Sequence, residues 1–164
     1  MATEIERKFL LKNELWRNKA EGTLFRQGYL SFDIDRTVRV RIVDKKAYLT
    51  IKGRNNGATR MEFEYEIPFD DGCQLLDTMV IAPIIEKTRY HIAHNHFNWE
   101  VDEFFGDNKG LIVAEIELSH ENEAFDAPEW IGLEVTHDPR YFNSNLVAHP
   151  FSRWPEHLIA SHTD

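Results

Sequence analysis

The sequence carries a single cysteine, Cys73, so no disulfide can form within the chain. One thiol suits a reducing compartment, and a cytoplasmic location is expected. Glycine and proline are sparse and scattered, 8 and 6 of 164 residues, so no linker divides the chain and one domain over residues 1–164 is expected. No apolar run nears the roughly 20 residues of a membrane-spanning helix, and the N-terminus lacks the basic-then-apolar layout of a secretory signal, so no membrane association is expected. Positive charge is in deficit: 19 Lys and Arg stand against 28 Asp and Glu, a formal net charge of -9. That balance argues against general attraction to nucleic acid. Any anion the protein binds must be met by locally concentrated cations. Also missing are a Gly-rich phosphate loop, a nucleophile elbow and a dinucleotide fingerprint.

What the chain does have is alternation. In "EIERKFL", residues 4–10, Glu4, Glu6 and Lys8 would share one face of a strand, with Ile5, Arg7 and Phe9 on the other. "TLFRQGYLSF", "RTVRVRIV", "AYLTIKG" and "RMEFEYEIPF" read as four further strands joined by turns at 33–35, 44–46 and 54–57. "IIEKTRYHIA", "FNWEVDEFF", "GLIVAEIELS" and "WIGLEVT" add four more. Helices are few. A short one is predicted around Asn13 to Arg17, one over "DDGCQLLDTMVI" with Asp caps and a stop at Pro83, and one over "HDPRYFNSNLV" capped by Asp138 with Pro139 in its first turn. The final "HPFSRWPEHLIASH" is predicted helical near its end. The pattern is that of an α+β domain built on a large antiparallel sheet or a closed barrel.

Nearly every strand carries a charged face. Arg39 and Arg41 oppose Val38, Val40 and Ile42; Glu62, Glu64 and Glu66 oppose Phe63, Tyr65 and Ile67; Glu115 and Glu117 oppose Ile116 and Leu118. Lys52 ends a strand, Lys87 and Arg89 share a face, and so do Glu100 and Asp102. Taken singly, such faces are commonly solvated. Taken together they offer paired Glu, paired Arg and Lys at two-residue spacing, with too few helices to cover one side of so broad a sheet. The alternative is a barrel with a polar interior, whose charges must be paired, hydrated or ligand-bound. A polyphosphate would suit Arg and Lys converging from several strands, and clustered Glu would make an oxygen cage for Mg²⁺ or Mn²⁺ bridging to it.

"EIERKFL" resembles the ExExK signature of the CYTH superfamily, the triphosphate tunnel metalloenzymes. "QGYL", "VRVRI", "TIKG", "EFEYEI", "EKTRY", "WEVDEF", "AEIEL", "EVTHDPRY" and "NSNL" follow in the order that family uses, so the resemblance spans nearly the whole chain. It implies an eight-stranded antiparallel β-barrel, the triphosphate tunnel, with a few helices packed outside. It implies metal ligation by Glu4, Glu6 and Glu117 with Glu115 close by, and phosphate binding by Lys8, Arg39, Arg41, Lys52, Lys87 and Arg89. Lys8 and Lys87 would act in catalysis, as would Glu62 and Glu64, as second-metal ligands or in orienting the attacking water. Asp102 would support a basic neighbour, and Tyr29 and Arg60 would be rim contacts. The function implied is metal-dependent hydrolysis of inorganic triphosphate to pyrophosphate and phosphate, as in compact bacterial-type members. The rivals on the same scaffold are a class IV adenylate cyclase and a thiamine or nucleoside triphosphatase. A rival of another class is a polyphosphate- or nucleotide-binding module without turnover. The expected partner is a small-molecule triphosphate, with no nucleic acid and no membrane; oligomeric state is left open, a homodimer included.

Three features are set aside. His91, His94 and His96 lie close in sequence but match no standard zinc spacing and fall at a hairpin. Cys73 sits among Leu75 and Leu76 and reads as packing. Trp16, Trp130 and Trp154 read as packing outside any tunnel.

Overall fold

The computed structural model describes residues 3–155. In chain order the elements are β1 (Thr3–Leu11), β2 (Gly22–Ser31), β3 (Thr37–Val43), β4 (Lys46–Lys52), β5 (Thr59–Ile67), α1 (Phe69–Thr78), β6 (Ile81–His94), β7 (Phe97–Phe104), β8 (Ile112–Glu117), β9 (Ile131–Glu134) and α2 (Asn143–Ala148). The strands follow the order β5-β4-β3-β2-β6-β7-β8-β1, and a β1–β5 pairing closes them into an eight-stranded antiparallel barrel. β9 is an extra strand that lies beside β1.

Closure is local. β1 meets β5 only through Thr3↔Met61, Glu4↔Arg60 and Ile5↔Thr59, and further along β1 the same edge turns to β9 at Phe9↔Glu134 and Leu11↔Ile131. From Glu62 to Ile67, β5 therefore has β4 as its ladder partner among the described residues. The alternating Glu62, Glu64 and Glu66 put charge along that free edge, which discourages pairing with another chain.

The apolar faces find cover in three places. Trp16, Trp99, Trp130 and Ile116 are buried together with Phe9 outside the wall formed by β1, β7 and β8. α1 packs on β3 and β4, with Leu76 against Val40, Ile42 and Ala47. The approach is so close that a Cβ at Gly72 would stand 2.4 Å from the Ala47 Cβ, which is why glycine occupies this helical position. The third cluster closes one end of the barrel. The parity that turns Lys8, Lys87, Asp102 and Glu115 inward continues to Leu10, Ile85, Phe104 and Val113, and these pack with Tyr141, Leu146, Phe151 and Trp154 from the C-terminal segment. Each such side chain contributes about 1.5–3 kcal/mol on burial, enough to fix that segment against the barrel.

Several local expectations give way. Asn13 to Arg17 form turns, not a helix, with Asn13 Oδ1 accepting from the Leu15 N–H at 2.9 Å. α1 starts after Pro68 without a side-chain cap, its Asp70 and Asp71 lying in the first turn, where the helix dipole favours them. It ends at Thr78, before Pro83, which lies inside β6. Proline is accepted there because the β2–β6 register slips between Gln27↔Ile85 and Tyr29↔Ile81, so this stretch owes no regular ladder hydrogen bond. "HDPRYFNSNLV" divides in two: Asp138 accepts from the Arg140 N–H to cap a short 3₁₀ turn at Pro139–Tyr141, and α2 begins at Asn143. α1 packs outside the barrel as expected, whereas α2 lies across its end. The terminal helix expected over "EHLIASH" lies outside the described residues.

Candidate functional site

The twelve charged residues from Glu4 to Glu117 that were assigned to metal or phosphate border one cavity inside the barrel: Glu4, Glu6, Lys8, Arg39, Arg41, Lys52, Glu62, Glu64, Lys87, Arg89, Glu115 and Glu117. Tyr29 and Arg60 border it too. Asp102 does not; it also turns inward but is fully buried beneath the lining side chains, where it accepts two bonds from Arg89, at 2.7 and 2.8 Å, and pairs with Lys87 Nζ at 2.8 Å. Burial alone would raise the Asp102 carboxyl, but Arg89 and Lys87 override it and hold it far below the carboxylate range.

The cations converge from β1, β3, β4 and β6. Arg41 and Arg89 both lie over the Phe25 ring, at 4.9 and 4.7 Å from its centroid, which fixes their planes without using their donors. Burial, with Arg39 and Arg89 near, pulls Arg41 down to about 9, and burial, with Arg89 and Arg41 near, pulls Lys87 down to about 7. Burial is the larger cause at both, and the neighbouring arginines add to it, whereas Arg89 in the same cluster is raised, burial being outweighed there by Asp102 and Glu100. Lys8 differs: burial would lower it, but Glu115 at 3.4 Å and Glu6 raise it. Arg39 keeps a buried Nε with no protein partner and donates from NH2 to Thr50 Oγ1 at 3.3 Å.

Carboxylates gather among these cations, with Lys8 beside Glu115, Arg89 beside Glu100 and Lys52 beside Glu4. Glu6, Glu100 and Glu115 bring one oxygen each within 4.8 Å of one another. β1, β8 and β7 lie side by side, and their register sets Glu6 against Glu117, and Glu115 against both Lys8 and Glu100, which accounts for the grouping. Burial, with Glu115 and Glu4 as neighbours, lifts the Glu6 carboxyl well above the usual range. Glu115 goes the other way: Lys8, then Arg89 and Lys87, overcome burial and hold it at about 2. Glu62 is pushed up to about 7 by burial and by its hydrogen bond with Glu4.

A family model described as the CYTH domain matches residues 2–149. The chain belongs to the CYTH family. It is 50% identical over 156 residues to the inorganic triphosphatase of Acetivibrio thermocellus, covering 95% of this chain and all of that one. It is 34% identical over 150 residues to the inorganic triphosphatase of Nitrosomonas europaea, covering 88% and 97% of the two chains. A crystal structure of an inorganic triphosphatase superposes with a TM-score of 0.63 at 31% identity, covering 87% of this chain and 96% of the other.

The CYTH signature residues do not all gather at one point. Of the four Glu expected at a metal, Glu6 and Glu115 lie in the carboxylate group. Glu4 is instead held by Lys52, and Glu117 faces Glu6 from the exposed lip. Glu100 joins the group and was not singled out from sequence, although it shares the parity of Asp102. Two amides also escaped the sequence reading: buried Gln27, which accepts from Arg41 Nε at 3.1 Å, and Asn143 at the start of α2, which borders the cavity. Gln27 shares the inward parity of Tyr29, whereas nothing in "FNSNLV" marks one Asn over the other. None of the three histidines is part of the carboxylate group; His91 meets Asn98 across the β6–β7 hairpin at 3.0 Å and comes within 4.0 Å of Glu100.

Proposed function

We propose that this CYTH protein is an inorganic triphosphatase that splits tripolyphosphate into pyrophosphate and phosphate. The observation that carries this reading is one cavity lined by seven Lys and Arg together with a carboxylate group, in a chain half identical to an inorganic triphosphatase. The cations can hold a linear anion at several phosphates at once, Arg39 and Arg41 bidentately and Lys8, Lys52, Lys87 and Arg89 chiefly as charges, the Arg89 fork being taken by Asp102.

The carboxylate group fits a hard divalent cation. Its donors are all oxygen, and burial with Glu115 and Glu4 as neighbours raises the Glu6 carboxyl, a penalty that a bound cation would offset. Glu6, Glu100 and Glu115 would hold Mg²⁺ or Mn²⁺, with Glu4 and Glu117 beside them. Such an ion supplies charge neutralisation on phosphate oxygens and a polarised water. The chain's own groups do the rest. Lys8, Lys87 and the arginines stabilise charge that develops on the equatorial and leaving oxygens. Glu62, at about 7, is the carboxylate best matched to take a proton from water near neutral pH. Glu115 at about 2 is too weak a base for that task.

The test is phosphate release from tripolyphosphate, ATP and pyrophosphate with Mg²⁺ or Mn²⁺, for the wild type and Glu6→Ala. Metal-dependent release from tripolyphosphate that the variant loses is the expected result. Cyclic AMP from ATP would transfer the assignment to a cyclase, and tight tripolyphosphate binding without release would transfer it to a binding module.

A further inference from the structure

The end of the barrel covered by α2 contains a chain of bonds that the reaction above does not use. Lys87 Nζ donates to Asn143 Oδ1 at 2.9 Å. Gln27 Nε2 donates to the same Asn143 oxygen at 3.1 Å, and Gln27 Oε1 accepts from Arg41 Nε at 3.1 Å. A guanidinium and an ammonium only donate, so with Lys87 charged the orientation of both amides is fixed: Asn143 turns its oxygen to Lys87, and Gln27 turns its oxygen to Arg41 and its nitrogen to Asn143. The line Arg41–Gln27–Asn143–Lys87 continues through Asp102 to Arg89. Three of the seven cavity cations, Arg41, Lys87 and Arg89, thus sit on one continuous run of hydrogen bonds.

Asn143 is the one member of that run from outside the barrel strands. Its place is set by Tyr141, Leu146 and Val147, which pack into the apolar cluster at the barrel end. Without its oxygen, Gln27 Nε2 loses its acceptor, so the amide that presents Oε1 to Arg41 is no longer held at both ends, although Arg41 never touches Asn143.

We propose that Asn143 is a positioning residue of the tunnel, fixing the Lys87 ammonium directly and the Arg41 guanidinium through Gln27. The proposal rests on the tunnel being the triphosphate site. It is tested with Asn143→Ala, Gln27→Met and the double variant. Tripolyphosphate binding is measured by calorimetry in EDTA, KM and kcat with Mg²⁺, and melting curves without ligand.

Asn143→Ala is expected to weaken binding and raise KM about tenfold, the size of a lost hydrogen bond to a charged group. The change in kcat should be smaller and the melting temperature nearly unchanged. Gln27→Met is expected to give a similar loss, and the double variant no more than the larger single loss, because both break one run. Binding within threefold of wild type for Asn143→Ala, or single losses that multiply in the double variant, would overturn the proposal. If Asn143→Ala does not fold, Asn143→Leu, which fills the volume without an acceptor, takes its place; failure of both to fold assigns Asn143 a purely structural part and overturns it. A wild type that binds tripolyphosphate but releases no phosphate removes the triphosphatase reading and leaves the affinity comparison to decide the positioning role. A wild type that does not bind overturns both.

Discussion

Lys52 and Glu4 meet over a strand that separates them: β5 pairs with both β4 and β1, yet Lys52 Nζ reaches the two Glu4 oxygens at 3.0 and 3.1 Å. The pair spans the seam where the barrel closes, and the side chains are only 17% and 11% exposed. Burial would raise the Glu4 carboxyl, and Lys52 outweighs it, so the net direction is down. A carboxyl lowered on folding adds stability above its unfolded pKa and loses it as pH falls through the folded value. Lys52→Ala is therefore expected to cost about 2 kcal/mol at pH 8, in the range for a hydrogen bond to a charged group. The cost should shrink by pH 4.5, where the unpaired Glu4 takes up a proton. Denaturant melts of both proteins at the two pH values give the comparison; an equal cost at both would show that Lys52 stabilises by packing alone.

Glu62 should behave in the opposite sense. Its carboxyl rises from 4.5 to about 7 on folding, so the folded state binds more protons than the unfolded between those values. Stability then falls as pH rises through that window. Glu62→Gln keeps a donor toward Glu4 and removes the charge. Without ligand it is expected to melt a few degrees above wild type at pH 8 and level with it at pH 4.5, while hydrolysis at pH 8 drops at least tenfold, within the range of lost general-base catalysis. A variant that melts lower than wild type at pH 8 would contradict the charge argument.

Proton and metal compete at Glu6. Because burial, Glu115 and Glu4 keep this carboxyl protonated well above the ordinary range, a cation entering the group must displace a proton. Tripolyphosphate with Mg²⁺ is expected to raise the melting temperature by mass action, more at pH 8 than at pH 6, and EDTA should remove most of the gain. Equal stabilisation with and without EDTA would leave Glu6, Glu100 and Glu115 without a metal role.

The charged interior was legible because a strand's period of two turns residue type into side: Glu4, Glu6 and Lys8 in a row, or Arg39 and Arg41, need only a closed sheet to become a wall. Closure itself was legible from the shortage of helix to cover a flat sheet. What escaped depends on register and on contacts distant in sequence. Glu100 joins Glu6 and Glu115 because β8 lies between β1 and β7, a neighbour relation that alternation cannot give. Glu4 and Lys52 are 48 positions apart and Asn143 and Lys87 are 56 apart, joined by tertiary packing alone. Pro83 misled for a related reason, since a register slip can admit proline into a strand that a local reading would end.

Asp102 is the countercharge on which the cation wall depends. Lys87 and Asp102 are each 1% exposed in their side chains and Arg89 is 9%, so removing the carboxylate leaves two buried cations beside Arg41, with Arg89 keeping Glu100 at 2.8 Å. Asp102→Asn keeps the volume and loses the charge, and breaking a buried pair in this way costs about 3 kcal/mol or more. For a chain of this size that is a fall of roughly 6–12 °C in melting temperature. The Asp102 carboxyl is held far below its ordinary value and stays ionised through neutral pH, but Lys87, at about 7, gives up its charge within that range, so the deficit should be larger at pH 6 than at pH 8. The same reasoning fixes the ligand response. Tripolyphosphate brings negative charge to the face of Lys87 and Arg89 that Asp102 backs, so it should stabilise Asp102→Asn by more degrees than it stabilises wild type. An equal or smaller ligand-induced gain in the variant would mean that the cations lose their geometry along with their countercharge, and that Asp102 places them as well as balancing them.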